Sequence, residues 1–128
     1  MATEQLVRNH ILSKIAGEDL TAHQYRAVTL DSSGEVVACT AGAPALGILQ
    51  NAPDEDEVAE VAIGGESKVE AGGVWALTAG LVLLTPGAAG KIVEAGTGDV
   101  VCAVASVASG ADAEITSAVI RPQHEPIT

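Results

Sequence analysis

Ala27-Val28-Thr29-Leu30-Asp31-Ser32-Ser33-Gly34-Glu35-Val36-Val37-Ala38 is the stretch on which the reading of this chain turns. Val28 and Leu30 alternate with Thr29 and Asp31, the period-two pattern of a strand with one buried face. Asp31 to Gly34 is turn chemistry, with glycine supplying the positive φ such turns need. Glu35 to Cys39 then returns as a second strand, so the stretch predicts a β-hairpin.

The same grammar extends outward. Ala45 to Gln50 is a candidate strand, and Ala59, Val61 and Ile63 alternate with Glu60 and Ala62 in another. Gly64-Gly65 and Gly72-Gly73 break the chain. Leu81–Leu84 and Lys91–Glu94 flank a turn from Thr85 to Gly90. Val100 to Val107 is apolar on both faces, as a central strand is. Ser109 to Asp112 turns it into a last strand, Glu114 to Ile120, and Pro122 and Pro126 leave a tail that suits neither helix nor strand. The spacing predicts a mainly β protein. Its body is small, barrel- or sandwich-like and built of short strands over 17–121, with an N-terminal arm over 1–16 and a tail over 122–128.

A faint repeat runs through the body. Leu20-Thr21-Ala22 precedes an apolar strand, a turn ending at Gly34 and Glu35-Val36-Val37-Ala38; Leu77-Thr78-Ala79 precedes another, ending at Gly90 and Lys91-Ile92-Val93-Glu94. Two related hairpins are the physical reading.

Composition narrows the function classes. The chain has 128 residues and a net charge of −11, from 6 Lys+Arg against 17 Asp+Glu. That balance opposes a phosphate-backbone partner and an anionic membrane surface, both of which need clustered Lys and Arg. Aromatic residues are scarce, so the core is built from Val, Ile, Leu and Ala, abundant enough to exclude disorder. Trp75, the single tryptophan, reads as a core or subunit-contact residue. Cys39 and Cys102 each sit in an apolar stretch and read as buried free thiols, made in a reducing cytoplasm. The first residues have no basic segment leading into an apolar one, so no secretory signal is expected. The apolar run Val74–Leu84 is too short for a bilayer.

Residues 1–16 differ from the rest. Val7, Ile11, Leu12 and Ile15 share one face at helical spacing, whereas Ile11, Ser13 and Ile15 oppose Leu12 and Lys14 at period two. A short helix, an extended arm and an ordinary edge strand all remain open. Arg8 and Lys14 lie here, two of the six basic residues. An apolar, locally basic terminus on an acidic body suits a segment that meets a surface.

No active site is legible. His10, His23 and His124 have no metal-ligand spacing, and neither cysteine belongs to a C-x-x-C pair. Thr85-Pro86-Gly87-Ala88-Ala89-Gly90-Lys91-Ile92 is superficially like a phosphate loop. It has Thr85 where the first glycine belongs and Ile92 where the magnesium-binding hydroxyl belongs. Gly96-Thr97-Gly98 lacks a third glycine and a following helix. Asp54-Glu55-Asp56-Glu57 lacks the glycine and distal glutamate of a calcium loop and reads as a solvated acidic turn. No nucleophile elbow is present. Catalytic, metal-binding and cofactor-binding residues are therefore not expected.

The hairpin Ala27–Ala38, and its continuation Ala45-Leu46-Gly47-Ile48-Leu49, resemble the family of phage capsid decoration (cement) proteins. Gly64–Gly73 and Leu77-Thr78-Ala79-Gly80 are similar to a related small capsid-cement family. The resemblance covers roughly residues 17–107 and rests on short motifs of common residues. It implies a non-enzymatic β-rich homotrimer on the outside of a phage head, made in the host cytoplasm. Such a trimer would sit at threefold or quasi-threefold positions and clamp the major capsid protein. In this family an N-terminal arm commonly orders on the shell, which here implies a capsid-binding arm containing Leu6, Val7, Arg8, Ile11 and Leu12. Strand addition supplies the mechanism. Ordering an arm costs about 1–2 kcal/mol of backbone entropy per residue, and three arms per trimer offset this through avidity. The negative charge would keep free trimers apart.

The rival reading is a lipoyl- or biotinyl-like carrier module, also small, acidic and pseudo-repeated. It needs a modified lysine at a hairpin tip. Lys68 is the nearest candidate, although its flanks match neither carrier motif.

Overall fold

The computed structural model describes residues 10–128. The hairpin forms as read. Strand β2 (Ala27–Leu30) runs antiparallel to β3 (Val36–Ala38), with Thr29 opposite Val37. The Asp31 carboxylate accepts the backbone N–H groups of Ser33 and Glu35, both at 2.9 Å, which holds the turn closed. Gly34 sits at φ +79°, the left-handed region where a β-carbon is disfavoured.

Three further strands complete the first sheet: β1 (Ile11–Ile15), β4 (Gly47–Leu49) and β5 (Val58–Ala62). Its order is β1-β5-β4-β2-β3, with every pair antiparallel. A second sheet holds β6 (Glu66–Glu70), β7 (Leu83–Pro86), β8 (Ile92–Glu94), β9 (Ala103–Ala105) and β10 (Ile115–Ile120). Its order is β6-β10-β9-β7-β8, again antiparallel throughout. Among the described residues the fold is thus almost all β, with one 3-10 turn at Ala88–Gly90. It is sandwich-like rather than a closed barrel. The two edges of each sheet touch only at one parallel bridge, Ala16 to Val36 in the first and Ala71 to Ile92 in the second.

These two strand orders are the same order. Advancing each strand of the first sheet by five gives the second sheet. The β2 strand begins at 27 and β7 at 83, 56 residues on, and the other equivalents lie 55 to 57 residues apart. Local bonding repeats with them. Asp31 N–H donates to Glu35 and Gly87 N–H to Lys91; Gly17 N–H donates to Val36 and Gly72 N–H to Ile92. Gly34 and Gly90, equivalent positions, share φ values of +79° and +78°. The related hairpins expected from the sequence are β2–β3 and β7–β8, and the repeat extends beyond them to two complete five-stranded halves.

Most expected strands occur, with shifted ends. The exceptions are informative. Val100–Val107 contributes only Ala103–Ala105 to a strand, the approach being bonded to Gly42 and to the tail instead. The β6 strand was not foreseen, because Glu66-Ser67-Lys68-Val69-Glu70 between glycine pairs has the polarity of a loop; Ser67 and Val69 point inward and are buried.

Two apolar clusters hold the halves. Leu20, on the segment that follows β1, packs with Val28, Val36, Leu49, Ala59 and Val61 inside the first half. Ala27, Ile48 and Ala62, on the opposite face of that sheet, join Val69, Trp75, Leu84, Ile92, Ala118 and Ile120 of the second half. The centre of the first sheet is therefore buried on both faces, which explains why Gly47-Ile48-Leu49 shows no alternation of polarity. Each fully buried Leu or Ile contributes roughly 1.5–3 kcal/mol. Trp75 is a core residue, and its indole N–H donates to the Val107 carbonyl at 2.9 Å.

Candidate docking surface

The arm residues singled out in the sequence divide at the start of β1. Leu6, Val7 and Arg8 lie outside the described residues. Ile11 and Leu12 are on β1, opposite Ala62 and Val61 of β5. Of the three conformations left open for this segment, residues 11–15 adopt the edge strand. They belong to the same sheet as β2–β5, so this part of the expected arm is built into the body. Ile11 is 40% exposed and Ile15 41%, while Leu12 is half-buried. Among the described residues β1 has one strand neighbour, β5, which leaves its other edge as a template for strand addition.

A second apolar surface was not anticipated. Leu81, Leu83 and Val119 are exposed on the second half, Leu81 at 67%. Leu83 and Val119 flank the β9–β10 and β7–β9 ladders from outside. The signal available was the run Leu81-Val82-Leu83-Leu84, which is apolar at both parities. It was read as a strand and not as a surface, because only the pairing shows that its outer face is uncovered.

Two cations, Arg26 and Lys91, are committed to acidic partners. The Arg26 guanidinium grips the Glu70 carboxylate, with Nε at 2.9 Å and Nη2 at 3.3 Å, across the junction of the halves. Lys91 lies 3.8 Å from the same carboxylate and 3.4 Å from Asp112. The acidic run Asp54–Glu57 closes on itself: Glu57 accepts the Asp54 N–H at 2.7 Å, and Asp54 accepts that of Glu55 at 2.8 Å.

The Lys68 ammonium lies 5.8 Å from the centroid of the Tyr25 ring. Lys68 stands in the middle of β6, opposite Ser117, and not at a hairpin tip. The carrier reading therefore loses the lysine it required. A shallow groove of about 360 Å³ opens beside it, lined by Lys68, Val107, Glu114 and Thr116 among others. The Thr116 hydroxyl donates to the Ala108 carbonyl, 2.9 Å away.

Burial pushes the Cys39 thiol up to about 11 and the Cys102 thiol to about 12, so both are inert thiols, as expected of free cysteines in apolar stretches. His23 is held below its ordinary value by burial and then by Arg26, and its buried Nδ1 has no hydrogen-bond partner. Among the described residues no three of His, Cys, Asp and Glu gather as a metal-binding group, and no helix is long and apolar enough to cross a membrane. The tail returns to the body, where Gly98 N–H donates to the Ile127 carbonyl at 2.7 Å and Ile127 N–H to Asp99 at 2.8 Å.

No protein-family model matches the chain, and no curated protein matches it. Among solved structures, the fold is similar to that of the head fiber gp8.5 N base in bacteriophage phi29, with a TM-score of 0.70. The match covers 87% of this chain and 92% of that one at 16% sequence identity, a likeness of fold.

Proposed function

We propose that this chain is a structural protein of a phage head, binding the outside of the shell as a homotrimer and reinforcing the major capsid protein. The observation that carries the reading is the shared architecture with the base of a head fiber, nearly whole chain against whole chain. The hairpin's resemblance to capsid decoration proteins supports it independently. So does the exposure of apolar side chains on β1 and on the outer face of the second half.

In mechanism, the protein acts by docking. Ile11 and Leu12, at the start of β1, bury area against the shell while the strand's open edge takes backbone hydrogen bonds from capsid β structure. Leu6, Val7 and Arg8 extend the same contact toward the N-terminus. One such contact is weak, and a trimer presents three, so the second and third engage at a high effective concentration.

Immunogold electron microscopy of virions from the source, with antibodies to the purified protein, tests the reading. Gold on the outer surface of heads is the expected result. Gold confined to tails, or virions without label, would refute it.

A further inference from the structure

The junction between the two halves is heterologous: it joins one surface of the first half to a different surface of the second. On the first half it uses Tyr25, Arg26, Ala27, Gly42 and Gln50. On the second it uses β6, the end of β7 and Gly90. Glu70 N–H donates to the Tyr25 carbonyl at 2.8 Å, and Gly42 N–H donates to the Pro86 carbonyl at 2.8 Å. Gln50 donates to the Ser67 hydroxyl at 2.9 Å, and a β-carbon on Gly90 would stand 2.6 Å from the Ala27 carbonyl oxygen.

Because the halves repeat, each carries both surfaces, and one copy of each is unused within the chain. Tyr25, Arg26 and Ala27 have Leu81, Val82 and Leu83 as equivalents, and Ala62 has Val119. Glu70 and Pro86 have Ile15 and Leu30. Five of the twelve large apolar side chains exposed among the described residues are at these unused positions: Ile15 and Leu30 on one, Leu81, Leu83 and Val119 on the other. The chemistry changes between the two. At the internal junction Arg26 faces Glu70; their equivalents are Val82, packed into the core of its own chain, and the exposed Ile15, so the outer contact rests on the apolar area of Leu81, Leu83 and Val119 rather than on an ion pair.

We infer that a second copy of this chain covers these faces, docking head to tail so that the outer face of one copy's second half meets the β1 face of the next copy's first half. The contact reproduces the intramolecular junction between chains. One element differs: Gly98, the equivalent of Gly42, has its N–H already taken by Ile127, so the tail stands where Leu30 of the neighbour would bond. Heterologous contacts close into rings or run on as filaments. Three copies joined this way present six equivalent halves around one axis. The inference deepens the trimer in the proposed function and does not depend on shell binding.

Sedimentation velocity on the full chain and on two variants, Ile15→Asp and Leu81→Asp, tests it, with far-UV circular dichroism confirming the fold. Wild-type trimers are expected. Each variant alone should sediment as a monomer, with at least a tenfold weaker association. A one-to-one mixture of the two should give a dimer, since one intact face remains on each. If a variant unfolds, Ile15→Ser or Leu81→Ser replaces it. Wild-type trimers with both variants still trimeric, or a mixture that stays monomeric, would overturn the head-to-tail contact while leaving a trimer standing by another surface. A monomeric wild type would overturn both the contact and the trimer. Labelled heads in the immunogold experiment would be untouched by either result.

Discussion

The neighbours Ile48 and Leu49 offer a quantitative test of the two-cluster core. Both are completely buried, yet β4 turns Ile48 toward the second half and Leu49 toward the segment beneath the first sheet. Ile48→Val removes one methyl group and should cost about 1 kcal/mol, and Leu49→Ala about 3 kcal/mol, since neither site has solvent to relax into. With a urea m-value of about 1.5 kcal/mol/M, the midpoints should fall by roughly 0.7 M and 2 M. The residues share no cluster, so the double variant should lose about 4 kcal/mol, with a coupling below about 0.5 kcal/mol. Trp75 fluorescence reports the second half, and far-UV circular dichroism reports both sheets. Because Ile48 ties the halves together, the two signals should give one coincident transition. A coupling above about 1 kcal/mol would refute the separation of the clusters. Two separate transitions would refute the claim that the shared cluster makes the halves one folding unit.

Three further predictions follow from single positions. Gly47→Ala should destabilise the fold by about 1–3 kcal/mol or more in urea unfolding, because its β-carbon would stand 2.1 Å from the Ala62 carbonyl oxygen in the neighbouring strand; an unchanged midpoint would mean that β4 and β5 are not held at this distance. His23 has a folded-state value below the ordinary 6.5, so the unfolded chain takes up a proton first as pH falls. Stability should therefore decline below about pH 6.5, above the range where carboxylates titrate, and His23→Gln should flatten that slope; an equally steep slope in the variant would clear His23 of the effect. Cys39 and Cys102 should not react with an aromatic disulfide reagent at pH 8 until the chain is unfolded, given thiols at about 11 and about 12; rapid reaction of either in the folded protein would contradict its burial.

How far the site was legible depended on distance along the chain. The Asp31–Gly34 turn could be read directly, because the carboxylate that closes it bonds only to N–H groups two and four residues on. Ile11 and Leu12 were marked as surface residues by their apolar character in a locally basic segment, but their conformation stayed open. Both the helical and the period-two patterns fit, and only pairing with β5, some fifty residues away, selects the strand. Leu81, Leu83 and Val119 were invisible as a surface because they read as ordinary strand residues. Which of two strand faces is covered depends on what packs there.

By itself, the sequence determined what local chemistry controls: a β protein of short strands, the hairpin at Ala27–Ala38, its weaker partner near Leu81–Glu94, and the character of two thiols set in apolar runs. The tertiary structure alone decided that the hairpins head two halves with the same strand order. It also decided that β6 is a strand and that β4 is buried on both faces while Leu83 and Val119 on the second sheet are exposed. The reason is that strand pairing is bought with contacts far apart in the chain. Equivalent backbones need only matching alternation and a glycine at positions such as Gly34 and Gly90, so side chains between them can diverge until the repeat survives in the hydrogen bonds more clearly than in the residues.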